Sequence, residues 1–345
     1  MRSAYITGLA GDALQHGERV LLAATRPAGI ILFARNCQSA EQIKRLVADA
    51  KAAIGADDLL VLIDQEGGRV RRLRPPQWRE LPPAAVYASL FCVDPAASIE
   101  TARLVARLTA HDLRELGINT NCAPVLDVPV PGAHDIIGDR AYGLNWQQIA
   151  ALGRAVAEGH MAGGVVPVIK HIPGHGRSLA DSHLELPVVD ATGSELEATD
   201  FAAFRALSDM PAAMTAHVVY TALDSTAPAS TSATVTADII RGKIGFDGLL
   251  MSDDLGMKAL GGPFVDRAAA VIRAGSDVAL HCGGDLVEME AVAAGVPALA
   301  GPALRRFETC IGITRRLATF DQAAAEMALA GVIAHGSVSS GRAVA

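Results

Sequence analysis

Eight short apolar runs, set apart by stretches of helical pattern, constrain this chain more than any other feature. They are Tyr5 to Gly8, Gly29 to Phe33, Leu59 to Asp64, Thr120 to Ala123, Val165 to Lys170, Ala212 to His217, Gly248 to Asp253 and Val278 to His281. Apolar runs without alternation belong to strands covered on both faces, the condition of parallel strands joined by helices. Between them Ser39 to Ile54, Ala97 to Leu116, Trp146 to Ala162, Ser194 to Leu207, Leu286 to Ala294 and Pro302 to Leu317 read as helices. Ser39 offers an N-cap and Gly117 a C-cap. The repetition predicts an α/β fold, a single (β/α)8 TIM-type barrel over residues 1–330, followed by a mobile tail over 331–345. A doubly wound open sheet is the competitor, but no GxGxxG or GxxxxGK[ST] follows any run.

Chemistry-bearing side chains gather where the runs end. Asp64, Lys170, His171, His217 and Asp253 all stand at such ends, and in a barrel those ends share one face. The stretch Lys170 to Pro187, KHIPGHGRSLADSHLELP, is the densest. Pro173, Gly174 and Gly176 exclude a helix there, so it reads as a polar loop that the glycines allow to close over a ligand. Within it Asp181 and His183 are two positions apart; a carboxylate so placed can accept one ring N–H and fix the tautomer, although a surface pair would look the same. His175 reads as an internal brace. Asp253 and Asp254 are adjacent, so only one can face the barrel mouth while the other caps the next turn. Asp64 opens DQEGGRVRRL as either a loop cap or a functional carboxylate. Arg140, in GDRAYG, is either a planar clamp for a polar substrate or a loop salt bridge.

Composition excludes several classes. The net charge is -7 with no basic stripe, against a nucleic-acid partner. The five cysteines are scattered without a CxxC, against a disulfide framework and for a reducing compartment. No secretory h-region opens the chain and no run of about 18 apolar residues could span a membrane, so a soluble, cytoplasmic protein is expected, without membrane partner and as a monomer. HxH and HExxH are absent, and the one HxxxH is broken by proline and glycine, so neither metal nor cofactor is expected.

Taken in order, DQEGGRVRRL, GDRAYG, KHIPGHGRSLADSHLELP and MSDDLGM resemble the glycoside hydrolase family 3 β-N-acetylhexosaminidases of the peptidoglycan-recycling type. The departures are small: Ile172 stands where the family usually has Phe, and AYG replaces SFG after Arg140. The resemblance implies a barrel without the further C-terminal domain of larger members and a retaining hydrolysis of terminal β-linked N-acetylglucosamine from muropeptide fragments. It implies Asp253 as nucleophile, His183 as acid/base with Asp181 as its partner, and Asp64, Arg72, Arg140, Lys170 and His171 as sugar-binding groups. A phosphorylase, a metal-dependent barrel hydrolase and a sugar-sensing module without turnover are the alternatives.

Overall fold

A computed structural model describes residues 1–180, 182 and 185–342. Its centre is a closed barrel of parallel strands: β1 (Ser3–Gly8), β2 (Pro27–Leu32), β3 (Leu60–Ile63), β4 (Thr120–Asn121), β5 (Val166–Ile172), β6 (Ala212–Thr215), β7 (Leu249–Asp254) and β8 (Val278–His281). Each strand pairs with its neighbours in chain order, and β8 closes on β1 with Tyr5 opposite Ala279 and Thr7 opposite His281. The expected (β/α)8 barrel is the observed fold. Strand β4 is the shortest because Pro124 soon follows, and proline cannot donate to a ladder.

The strands are buried on both faces, so hydropathy hides their alternation, but packing reveals it. Leu60 and Leu62, Val166 and Val168, Leu249 and Met251, and Val278 and Leu280 join one cluster that fills the barrel. Val61 and Ile63 belong instead to a cluster with Ile43, Leu46, Val47, Ala50 and Ile54, the buried stripe of the helix Ala40–Ile54. Burying such aliphatic side chains stabilises by about 1.5–3 kcal/mol each, which holds that helix on the strands. Its start follows the expectation, the Ser39 hydroxyl accepting the Gln42 N–H at 3.3 Å. The inward parity continues past the apolar residues: two beyond Leu62 is Asp64, two beyond Val168 is Lys170, and two beyond Met251 is Asp253. Period two therefore aims all three into the barrel mouth.

Two expectations are corrected. The segment Ser194 to Leu207 is not one helix but two, Gly193–Ala198 and Asp200–Arg205. The break falls at Thr199, whose hydroxyl bonds back to the Glu195 carbonyl at 2.9 Å and to the Asp200 carboxylate at 2.6 Å, competing with the helical ladder. The segment from Gly331, expected as a mobile tail, begins inside a final helix, Gln322–Arg342, rather than beyond the last element. Ala325, Leu329 and Val332 of that helix are buried against the helices Ala84–Val93 and Pro95–Glu115, and the boundary drawn at residue 330 falls inside it.

Candidate active site

At the carboxyl ends of the strands the barrel opens into a cavity of about 320 Å³. Ile31, Met214, Leu280 and Cys282 form its apolar part, and Asp64, Glu66, Arg72, Arg140, Lys170, His171, His175 and Asp253 its polar wall. The volume lies near the lower end of ligand pockets, about 300–1,000 Å³. A small polar molecule suits it.

One wall is a row of alternating charges. Arg72 donates to one oxygen of Asp64 at 2.8 Å and Lys170 to the other at 2.9 Å. Lys170 also lies 2.6 Å from Glu66, and Glu66 takes the Arg140 fork through two bonds of 2.9 Å. Lys170, Glu66 and Arg140 have almost no side-chain exposure. Burial by itself would push the Asp64 carboxyl up, but Lys170 and Arg72 outweigh it and hold the group far below the usual range. Burial likewise opposes ionisation of Glu66, and Arg140 and Lys170 reverse this, keeping it at about 2. Lys170, whose charge burial disfavours, is held well above the ordinary amine value by Asp64 and Glu66. All three are charged at neutral pH. The Arg72 guanidinium stacks over the Phe33 ring at 4.8 Å, which fixes its plane.

A second arrangement hangs on Asp127, in the segment after β4. Its Oδ2 accepts the Nδ1–H of His171 at 2.6 Å, and its Oδ1 accepts the backbone N–H groups of His171 at 3.1 Å and His175 at 2.7 Å. Burial would raise this carboxyl, but His171 and His175 bring it to about 2. The His175 ring approaches the Ser182 hydroxyl at 3.2 Å, and its Nδ1 has no partner among the described residues. Burial, with His171 adding to it, pushes this imidazole down to about 4, so it is neutral near pH 7. His175 is thus an internal brace, as expected, and lines the cavity as well. The Lys170–His171 and Ile172–Pro173 peptide bonds in this stretch are both cis.

Asp253 lines the cavity and Asp254 does not. Asp253 accepts the Asp254 N–H at 2.8 Å, while the Asp254 carboxylate takes the N–H groups of Gly256 at 3.0 Å and Cys282 at 2.8 Å. One of the pair faces the mouth and the other caps a turn, the division that alternation required. His217, at the end of its run, turns away from the cavity: its ring is held by the Ser230 hydroxyl at 2.7 Å and the Asp254 carbonyl at 3.0 Å. Asp181 and His183 lie outside the described residues.

Sequence reasoning named Asp64, Arg72, Arg140, Lys170, His171 and Asp253, and all six line the one cavity. It passed over Glu66 and Asp127. Glu66 carried a usable signal, since it follows Asp64 by two and so shares its side of an extended segment. Arg140 lines the cavity, but its planar fork is spent on an ion pair with Glu66. Arg69 spans Asp139 at 2.9 Å and the Ile136 carbonyl at 2.9 Å, tying the DQEGGR turn to the loop that carries Arg140.

Among the described residues no group of three or more His, Cys, Asp or Glu side chains is placed to hold a metal ion, and no helix is long and apolar enough to cross a membrane. The cysteines are free thiols.

Residues 6–305 match the model of the glycosyl hydrolase family 3 N-terminal domain. A β-hexosaminidase from Alkalilimnicola ehrlichii is 41% identical over 279 residues, covering 80% of this chain and 79% of that protein. One from Chromobacterium violaceum is 37% identical over 339 residues, covering 95% and 94%. A crystal structure of NagZ from Neisseria gonorrhoeae, in complex with N-trifluoroacetyl-D-glucosamine, superposes with a TM-score of 0.85 at 34% identity, covering 96% of this chain and 98% of the other. A charged pocket at the strand ends of a parallel barrel, on a chain so extensively matched, leads to one conclusion: the protein belongs to glycoside hydrolase family 3 and is a hydrolase of the β-hexosaminidase type.

Proposed function

We propose that this enzyme is a retaining exo-β-N-acetylglucosaminidase of the cytoplasm, acting as a monomer without cofactor, which frees terminal, non-reducing N-acetylglucosamine from anhydro-muropeptide fragments in peptidoglycan recycling. The observation that carries the reading is the convergence of Asp253 with Asp64, Arg72, Lys170 and His171 on one small cavity. A related structure holding an N-acylglucosamine supports the choice of sugar.

Sugar hydroxyls both donate and accept, so a wall of alternating carboxylates and cations suits a row of them. Asp64 supplies acceptors, Lys170 and Arg72 donors, His171 its remaining Nε2, and Arg140 acts through Glu66. The carboxylates of Asp64 and Glu66 are each engaged by two cations, which suits binding rather than attack. Asp253 then attacks the anomeric carbon; the bond to the leaving oxygen breaks as that oxygen takes a proton from His183. In the second step His183 removes a proton from water, the water oxygen bonds to the anomeric carbon, and Asp253 departs with the configuration retained. Asp181 accepts the other ring N–H of His183.

Hydrolysis of a chromogenic aryl β-N-acetylglucosaminide tests the proposal. Wild type should release the aryl group with the β-anomer of the sugar formed first, and Asp253→Ala should lower kcat by roughly 10³-fold or more. His183→Ala should recover part of its rate on leaving groups that need no protonation. Absence of release by wild type, or full activity in Asp253→Ala, rules the proposal out; sugar 1-phosphate formed in phosphate buffer would make the enzyme a phosphorylase instead.

A further inference from the structure

We infer that Asp127 is a two-armed positioning residue for the reaction proposed above, one arm setting the sugar-binding imidazole and the other the loop that carries Ser182. The inference rests on that reading for its kinetics, though not for its geometry.

The carboxylate is fully buried on a segment already locked to β5, where the Leu126 N–H donates to the Lys170 carbonyl at 2.7 Å. Among the described residues its Oδ2 serves His171 alone. Because a carboxylate only accepts, Nδ1 of His171 carries a proton, and Nε2 is the nitrogen left to meet a ligand in the cavity that His171 lines. Its Oδ1 serves the main chain, taking the N–H of His171 and that of His175. From His175 the connection passes through the ring to the Ser182 hydroxyl, and Ser182 lies in sequence between Asp181 and His183, the proposed acid/base pair. The two oxygens of one side chain thus reach a binding group and a loop brace separately.

A carboxamide has nearly the same shape but cannot serve both arms. If the oxygen of an asparagine keeps the two backbone N–H groups, its NH₂ faces Nδ1 of His171 and makes that nitrogen an acceptor; a neutral ring must then carry its proton on Nε2. Asp127→Asn should therefore invert the His171 tautomer and raise KM by roughly 10- to 100-fold, the range expected for loss of one charge-assisted hydrogen bond. Ser182 also borders the cavity, but its hydroxyl is engaged by His175, so Ser182→Ala leaves the carboxylate and His171 untouched and cuts the loop arm. It should lower kcat by roughly 10-fold, also the scale of one lost hydrogen bond, with KM little changed.

The experiment combines steady-state kinetics on the aryl β-N-acetylglucosaminide with nitrogen-15 spectra of the histidine rings in ligand-free protein, and thermal unfolding of each variant. Support requires the Nδ1-to-Nε2 inversion in Asp127→Asn together with the split of KM in one variant from kcat in the other. Unchanged KM and an unchanged ring pattern in Asp127→Asn overturn the assignment, as does a Ser182→Ala variant that shifts KM as far as kcat. If Asp127→Asn does not fold, a wild-type His171 with its proton on Nε2 alone, or an unaltered kcat in Ser182→Ala, overturns it equally. Inversion of the ring pattern in an enzyme that hydrolyses no glucosaminide would leave the positioning role standing and remove the proposed function.

Discussion

Glu66 sits where two buried cations, Lys170 and Arg140, meet; Lys170 also reaches Asp64, whereas among the described residues Arg140 pairs with no other carboxylate. Removing its charge takes from Arg140 its buried carboxylate partner and leaves Lys170 with Asp64 alone, so Glu66→Gln should lose about 3 kcal/mol of unfolding free energy at neutral pH, read from denaturant titration. The sign of the pH dependence follows from its depressed value. A carboxyl held at about 2 in the fold, against about 4.3 unfolded, contributes stability that is complete above pH ~4.3 and is lost as pH falls towards 2. Asp127, also held at about 2, acts in the same direction. Wild type should therefore weaken steeply between pH ~4.3 and 2, and its advantage over Glu66→Gln should vanish at the bottom of that window; a constant difference across it would show that the Glu66 charge is not the cause. Asp64 was legible in the sequence because it ends an apolar strand. Glu66 was hidden beside it, its importance lying in partners 74 and 104 positions away. Asp127 was harder still, since APVLDVPV reads as an ordinary turn after a weak strand.

Among the elements, the KHIPGHG stretch departs most from what its composition implied. Its glycines read as freedom for a loop to close. In the fold Gly176 instead permits close packing: a Cβ there would run into the backbone carbonyl of Val128. Gly174 takes φ 139°, open mainly to glycine, and a Cβ on it would come within 2.9 Å of Asp200. The loop is also tied to its surroundings by the Arg177 bond to Asp200 at 2.7 Å, by the Tyr220 hydroxyl donating to the Gly174 carbonyl, and by the His134 N–H on the Ser178 carbonyl at 2.8 Å. Gly176→Ala should destabilise by about 2 kcal/mol, in the range of overpacking, and should slow turnover by displacing the segment next to Asp127. A variant with wild-type melting and wild-type kcat would show that the main chain has room that its packing denies. The helix break at Thr199 belongs to the same scale, for the side chain that interrupts the ladder also contacts Arg177.

The whole molecule extends past the limit that the strand pattern set. The last helix covers the outside of the barrel, with the Ser89 hydroxyl 2.9 Å from His335 and Val332 fully buried. Truncation after Ala330 cuts it in the middle and should lower the melting temperature by several degrees, since burial of one valine is worth about 1.5–3 kcal/mol; an unchanged melting curve would make the second half of the helix dispensable. That helix escaped a reading based on periodicity because alanine, glycine and serine dominate it, so no apolar stripe stands out. The barrel itself was written in the chain: each strand and the parity that points Asp64, Lys170 and Asp253 inward are local properties, repeated along the sequence by steric rules that need no distant partner. Only the tertiary structure decided which cation neutralises which carboxylate. Asp64 and Lys170 are 106 positions apart, and Coulombic pairing at under 3 Å is a property of where strands close in space, which no local spacing encodes.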